Sequence, residues 1–295
     1  MIRMKWSIAC FAASLLVLQG CVESSDSQKS SDDDLTTVSD ADKAAVLRVG
    51  DAVFSIPSPV QTALLIEQSG ADYDASLPNA TANAGNYISS TDKSLAMGIY
   101  GANLAYYAIF DQNQEALSCM TVLEQLANDL DLAGAIDRGL IRRFSENLGN
   151  QDSLLVLSSH FFRNSDGYLK ENERDLTAAL IIAGGWVEGM FMAVNSTNGN
   201  GEIRQRIAEQ KHALSGIVSI LERHGSDEVA ALITSLKDLQ ALFDGVKTTY
   251  EYMRPEVDAA SKMTHLKSET SYSISDELFA QIVEELESIR NSIVS

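Results

Sequence analysis

Apolar residues recur every three or four positions along most of the chain, the spacing that gives an α-helix one buried face. The C-terminal segment is the clearest case, because Leu278, Ile282, Leu286, Ile289 and Ile293 fall on one face. The chain contains only four prolines, and no long alternating run of β-branched residues predicts a buried strand. The pattern predicts an all-α protein, either a compact multi-helix bundle or a short stack of antiparallel helical hairpins.

Capping residues, glycines and prolines divide this pattern into separate helices. The predicted helices are residues 41–54, 58–69, 91–110, 113–131, 133–148, 151–163, 173–194, 201–223, 226–252 and 275–293. Residues 256–274 fit the helical pattern least, and we expect there an irregular crossover or a short two-stranded hairpin.

The segment 161–173, with the sequence FFRNSDGYLKENE, allows two interpretations. Asn164, Asp166 and Glu173 occupy places used by calcium ligands in a twelve-residue loop, but Phe162 stands where a first carboxylate is needed. Asn-Ser-Asp-Gly is also ordinary turn chemistry. We therefore predict a polar turn between two helices, with the calcium loop as the alternative.

Two predicted helices are apolar almost all round, namely SLAMGIYGANLAYYAIF and LTAALIIAGGWVEGMFMAVN. Each has small residues four positions apart, beginning at Gly98 and Gly185, where a second helix can approach closely. The second stretch is long enough to span a membrane, but Glu188 in its middle makes that interpretation costly. We expect both to be central helices of the bundle, with a membrane span at 176–194 as the alternative.

The N-terminus has the layout of a secretory signal: a basic start, an apolar core too short to span a bilayer, and a small residue before Cys21. The segment Leu18-Gln19-Gly20-Cys21 resembles the lipobox of bacterial lipoproteins, with Gln19 departing from the usual small residue. The resemblance implies that residues 1–20 are a lipoprotein signal peptide and that Cys21 is the lipidation site. The alternative is an ordinary cleaved signal peptide without a lipid.

Residues 21–40 are rich in serine and acidic residues, so they predict a flexible tether, followed by a single helical domain over residues 41–295. The lipobox resemblance implies that the lipid on Cys21 anchors the chain to a membrane of the cell envelope. We expect this to be the outer membrane, on its periplasmic or surface face. The formal net charge of −19 disfavours nucleic acid as a partner, since the protein and nucleic acid would repel each other.

The sequence contains few candidates for chemistry. It has no HExxH, paired CxxC, phosphate-cradling GxxxxGK[ST] or GxSxG motif, so it predicts no cofactor and no metal. Glu188 is the weak catalytic candidate, because a carboxylate on an apolar helix must be paired or have a raised pKa. We expect a structural ion pair with an arginine among residues 138–143, namely Arg138, Arg142 or Arg143.

One helical hairpin, LAMGIYGANLAYYAIFDQNQEAL, resembles a tetratricopeptide unit, but the other hairpins do not repeat the pattern. The whole chain also looks like helical lipoproteins of unknown function from Gram-negative envelopes. We therefore expect a lipid-anchored, non-catalytic binding or scaffold component with an envelope protein as partner. The alternative is a hydrolase or metal-binding helical bundle that uses Glu188 with a neighbouring arginine or His160.

Overall fold

The computed structural model describes the backbone of residues 44–49, 52–134, 138–196, 201–258, 263–265 and 268–295. The described chain is mostly helical, which confirms the all-α class. Its helices are α1 (Pro59–Gln68), α2 (Ser90–Ile109), α3 (Asn113–Asp129), α4 (Arg138–Glu146), α5 (Gln151–Glu171), α6 (Asp175–Asn195), α7 (Gly201–Glu209), α8 (Lys211–His224), α9 (Ala230–Phe243) and α10 (Asp276–Val294). The predicted signal peptide, Cys21 and the predicted tether lie outside the described residues.

Short strands supplement the helices as three antiparallel two-stranded ladders. They pair β1 (Ala44–Val49) with β2 (Ala52–Pro57), β3 (Lys247–Glu251) with β6 (Glu269–Ser273), and β4 (Glu256–Asp258) with β5 (Met263–His265).

The first ladder overturns the prediction of a helix over residues 41–54. Strands β1 and β2 form a hairpin in which Ala44 lies opposite Pro57 and Val49 opposite Ala52. The two residues that join the strands in the sequence are Gly50 and Asp51, and a glycine-led pair is typical of a tight hairpin connection. This signal, together with several valines, outweighs the apparent helical spacing.

Most of the helices begin close to where their capping residues predict. Ser58 and Ser89 both form capping boxes, in which the serine oxygen accepts from a backbone N–H three residues later and that residue's side chain accepts in return. Pro59 occupies the first turn of α1, where its missing N–H costs nothing. Ser275 caps α10 with its hydroxyl oxygen, which accepts from the Leu278 backbone N–H. These helix starts follow from local sequence alone.

Helices α2 and α6 lie at the centre of the protein, as their apolar sequences predict. Every residue of α2 from Ser94 to Ile109 is buried. The two backbones touch, because a Cβ placed on Gly98 would overlap the carbonyl oxygen of Ile181, and one on Gly184 would overlap that of Leu95. Only glycine at these two positions permits the observed approach.

The packing around this central pair favours a bundle over a stack of hairpins. The most extensive helix contact joins α2 to α6, although three other helices lie between them in the sequence. A solenoid instead packs each repeat mainly against its sequence neighbours. Among the described helices, only α6 is long and apolar enough to cross a membrane, and 83% of its most apolar window is buried within the protein.

Helix α5 continues through the segment that was predicted to be a turn. Residues 164–167 lie inside α5, so neither the predicted polar turn nor a calcium loop is present. Phe161, Ser165 and Leu169 are buried and spaced four apart, and they place one helix face in the core. Packing of that face outweighs the local turn preference of Asn-Ser-Asp-Gly.

The C-terminal third differs from its prediction in a similar way. The predicted helix over 226–252 ends at Phe243, and β3 follows as the first strand of an arm. Strands β3 and β6 form the base of this arm, and β4 and β5 continue it; we call these four strands the β-arm. The expectation of a hairpin at 256–274 is therefore met, but the hairpin begins earlier.

We expect Gly98→Ala to lower the free energy of unfolding by about 3 kcal/mol, because the added methyl group cannot be accommodated between two backbones. Chemical denaturation followed by circular dichroism measures this change.

Gly167→Ala is the matched control, since Gly167 lies within α5 and a Cβ there meets no atom within 4 Å. Alanine should raise stability by about 0.5–1 kcal/mol through its helix propensity. A loss of stability at Gly167 would contradict a continuous α5.

Candidate functional site

Glu188 lies on α6 with no exposed surface, and its partner is Arg290 on α10. The Arg290 Nε donates to Glu188 Oε2 at 3.0 Å, and the Arg290 Nη2 donates to Glu188 Oε1 at 3.3 Å. The Arg290 side chain is 13% exposed, and its Cζ lies 4.5 Å from the centroid of the Phe191 ring. This two-pronged geometry is the strongest form of a carboxylate–arginine pair.

The prediction of a partner among Arg138, Arg142 and Arg143 is corrected by this pair. Arg142 is largely exposed and pairs with Glu146 one turn along α4. The side chain of Arg138 lies outside the described residues. One signal could have indicated Arg290: it follows the buried Leu286 by four positions, so it borders the apolar stripe of α10.

The ion pair also holds the chain segment that precedes α2. Glu188 Oε1 accepts a hydrogen bond from the Asn79 backbone N–H at 3.2 Å, and Arg290 donates to the Leu77 carbonyl at 3.2 Å. Asn103 of α2 donates to the Asn79 carbonyl, and the Tyr100 hydroxyl donates to the Ala80 carbonyl. Three helices thus satisfy the backbone of one buried loop.

These contacts leave Glu188 without the features of a catalytic acid. Burial raises the pKa of its carboxyl group, while the hydrogen bonds and charge of Arg290 and the Asn79 N–H oppose that rise. Both carboxylate oxygens are already engaged, and the residue lines neither of the cavities described below. The geometry favours a structural role, in line with the sequence prediction.

The other polar candidates do not assemble into a site either. Glu209 pairs with Arg206, and His212 is exposed, with its ring 6.4 Å from that of Tyr272. Within the described residues, His, Cys, Asp and Glu form no cluster of three that could hold a metal ion. Cys119 is fully buried and donates to the Tyr100 carbonyl, and burial raises the pKa of its thiol.

A cavity of about 330 Å³ lies between α5, α6 and the start of α1. Phe162, Ile182 and Trp186 contribute to its walls, and Pro59 and Gly98 also line it. Its lining is mostly apolar, and its volume falls within the range of about 300–1,000 Å³ that is usual for small-molecule sites.

One wall of this cavity contains two buried polar atoms that have no hydrogen-bond partner among the described residues, Ser159 Oγ and Asp166 Oδ1. They lie seven residues apart on one face of α5. Ser159 is 7% exposed, and its hydroxyl does not bond back to the preceding turn, as those of Ser158 and Ser165 do. The other oxygen of Asp166 is paired with Lys170, so the carboxylate charge is already balanced.

A second cavity, of about 470 Å³, lies on the far side of α1 and has no comparable unpaired atom among its described residues. Three of its polar side chains have partners: Arg206 pairs with Glu209, and Gln210 Oε1 accepts from the Trp186 indole, which lines the first cavity, at 3.4 Å. The first cavity is therefore the better candidate for a ligand.

A scan against protein-family models, a search of curated proteins and a search of solved structures each found no match for this chain.

Sequence reasoning did not single out Ser159 as a site residue, and it considered Asp166 only as a ligand in the alternative calcium loop. Ser159, Phe162 and Asp166 recur at helical spacing, but this signal appears only when α5 is continued past residue 163. Because a turn was predicted at 164–167, the sequence pattern did not place Ser159, Phe162 and Asp166 on one helix face.

We expect Glu188→Gln to destabilise the fold by about 3 kcal/mol or more, because it leaves the Arg290 guanidinium buried without a counter-charge. Urea unfolding of the purified protein gives the value.

The double variant Glu188→Gln/Arg290→Met removes both charges and should recover much of this loss. If the single and double variants were equally unstable, the ion pair would not be the interaction that holds the loop.

Proposed function

We propose that this chain is a lipid-anchored, non-catalytic binding protein of the bacterial cell envelope, and that the cavity between α5 and α6 is its ligand site. The anchor rests on the basic start, apolar core and lipobox-like segment before Cys21. The binding role rests on one observation: a mostly apolar cavity whose wall contains two buried, unpaired polar atoms.

The chemistry of the wall defines the class of ligand. An apolar body would fill the space beside Phe162 and Trp186, and it would gain from leaving water. Asp166 Oδ1 can only accept, and Ser159 Oγ can accept or donate, so each of the two atoms can bond a hydroxyl group. Because Lys170 already balances Asp166, a neutral head group is preferred over an ammonium. The proposed ligand is a neutral amphiphile with a terminal hydroxyl.

A tether between the anchor and the helical domain suits this role. The segment 21–40 would let the cavity reach molecules near the membrane surface without embedding the domain. The negative net charge would keep the domain away from anionic head groups. A neutral amphiphile would be found at a membrane surface and would be poorly soluble in water.

The anchor predicts a specific covalent state of the N-terminus. Full-length protein made in a bacterium should begin at Cys21 and carry acyl chains there, as shown by the mass of its N-terminal peptide. Cys21→Ser should lack this modification, whereas Cys10→Ser should retain it, because Cys10 lies within the predicted signal peptide. An unmodified N-terminus at a different residue would overturn the anchor.

Ligand binding should change the fluorescence of Trp186. The only other tryptophan, Trp6, lies in the predicted signal peptide, so the tryptophan emission of the mature chain comes from Trp186, which lines the cavity. Titration with a long-chain alkanol should shift the emission and saturate, with tighter binding than the matching alkane.

Ser159→Val should weaken alkanol binding, because it removes one partner of the ligand hydroxyl. It should also raise the melting temperature, because an unpaired buried hydroxyl is replaced by an apolar group. The control is Ser158→Val, whose hydroxyl donates to the Leu154 carbonyl and does not line the cavity. Equal alkanol affinity in wild type and Ser159→Val would count against the proposed head-group site.

A further inference from the structure

The β-arm concentrates exposed apolar surface. Among the described residues, four large apolar side chains are exposed, and Tyr250, Tyr252 and Met263 of the β-arm region are three of them. Tyr250 and Tyr252 are 63% and 69% exposed. Every residue of β3 is exposed, although a two-stranded ladder alone is marginally stable in water.

Among the described strands, β3 pairs with β6 alone, so its other edge is free of strand partners within the described part of the chain. Strand β6 in turn is flanked by α7. An open strand edge presents unpaired N–H and C=O groups to any strand that can align with it. Charged residues on the edge restrict which strands are accepted.

The two charged residues of β3, Lys247 and Glu251, have no opposite charge beside them in the ladder. Glu251 lies directly opposite Glu269 within the ladder, an arrangement of like charges that destabilises a sheet. Lys247 lies opposite Ser273. Among the described residues, neither Lys247 nor Glu251 has an ion-pair partner.

We propose that β3 pairs antiparallel with β3 of a second copy of this chain, about a two-fold axis at Thr249. In this register Lys247 of each copy faces Glu251 of the other, so two ion pairs form at once. The β6 and β3 strands of both copies then make one four-stranded sheet. Each Glu251 gains a positive neighbour on the side away from Glu269.

The same register suits the opposite face of the sheet. Thr248 of one copy faces Tyr250 of the other, an aromatic and β-branched pair of the type that stabilises cross-strand contacts. Thr248 lies opposite Tyr272 within its own ladder. In the dimer each Thr248 would therefore lie between Tyr272 of its own chain and Tyr250 of the second copy. The exposed ring of Tyr250 would thereby lose much of its contact with water.

Cysteine cross-linking tests the register. The full chain carries Cys10→Ser and Cys21→Ser, which leaves the fully buried Cys119 as its only native thiol. Thr249→Cys places two thiols opposite each other, within disulfide reach. Thr248→Cys is the matched control, because its two copies would be diagonal neighbours, about 7–8 Å apart and at the limit of that reach.

We expect mild oxidation to give a disulfide-linked dimer with Thr249→Cys and far less with Thr248→Cys. No dimer with either variant, or equal yields from both, would overturn the proposed pairing.

Charge reversal in the Thr249→Cys background tests the partner. Lys247→Glu alone and Glu251→Lys alone should each lower the dimer yield by about tenfold, because both place like charges opposite each other. Mixing these two chains should restore a heterodimer, since each again faces the opposite charge. A dimer yield that does not respond to these reversals would show that another surface is responsible. Melting temperatures no lower than that of the Thr249→Cys parent would verify that both variants remain folded.

Discussion

The structure depends on the direct backbone contact between α2 and α6. Gly98 and Gly184 bring the two central helices so close that neither position can hold a side chain. The remaining helices then pack around this pair, which buries apolar side chains on nearly every side of α2. Because Gly184, Trp186 and Glu188 lie within five residues of α6, the same contact decides where the indole and the carboxylate point.

The buried ion pair shows how a charge is tolerated in such a core. Glu188 and Arg290 form two hydrogen bonds with each other. Glu188 also accepts from the Asn79 backbone N–H, and Arg290 also donates to the Leu77 carbonyl. Burying the two charges is costly, and a paired geometry with further hydrogen bonds offsets that cost. The pair connects α10 to the loop before α2, across more than two hundred residues of sequence. Because both carboxylate oxygens of Glu188 are engaged, the pair favours structure over chemistry.

The cavity and the β-arm differ from the ion pair, because both contain groups that packing leaves without a contact partner among the described residues. In the cavity, Ser159 and Asp166 have buried atoms without partners beside apolar walls. On the β-arm, Lys247 and Glu251 have no oppositely charged partner among the described residues, and the Tyr250 side chain is exposed. Buried polar atoms without partners cost free energy in the isolated protein, and the like charges of Glu251 and Glu269 destabilise their ladder. The cavity and the β-arm are therefore the places where a ligand or a second chain would contribute most.

The sequence by itself determined the helical class, the helix starts at Ser58, Ser89 and Ser275, and the burial of α2 and α6. These follow from spacing, capping and composition, which act over a few residues. Tertiary structure decided the rest. Phe161, Ser165 and Leu169 keep α5 helical through a turn-like sequence, because burial of a whole face outweighs local propensity. Likewise, the pairing of Glu188 with Arg290 and the cavity between α1, α5 and α6 form only on folding. These contacts join segments that are far apart in the sequence, and no local pattern predicts which distant segments meet.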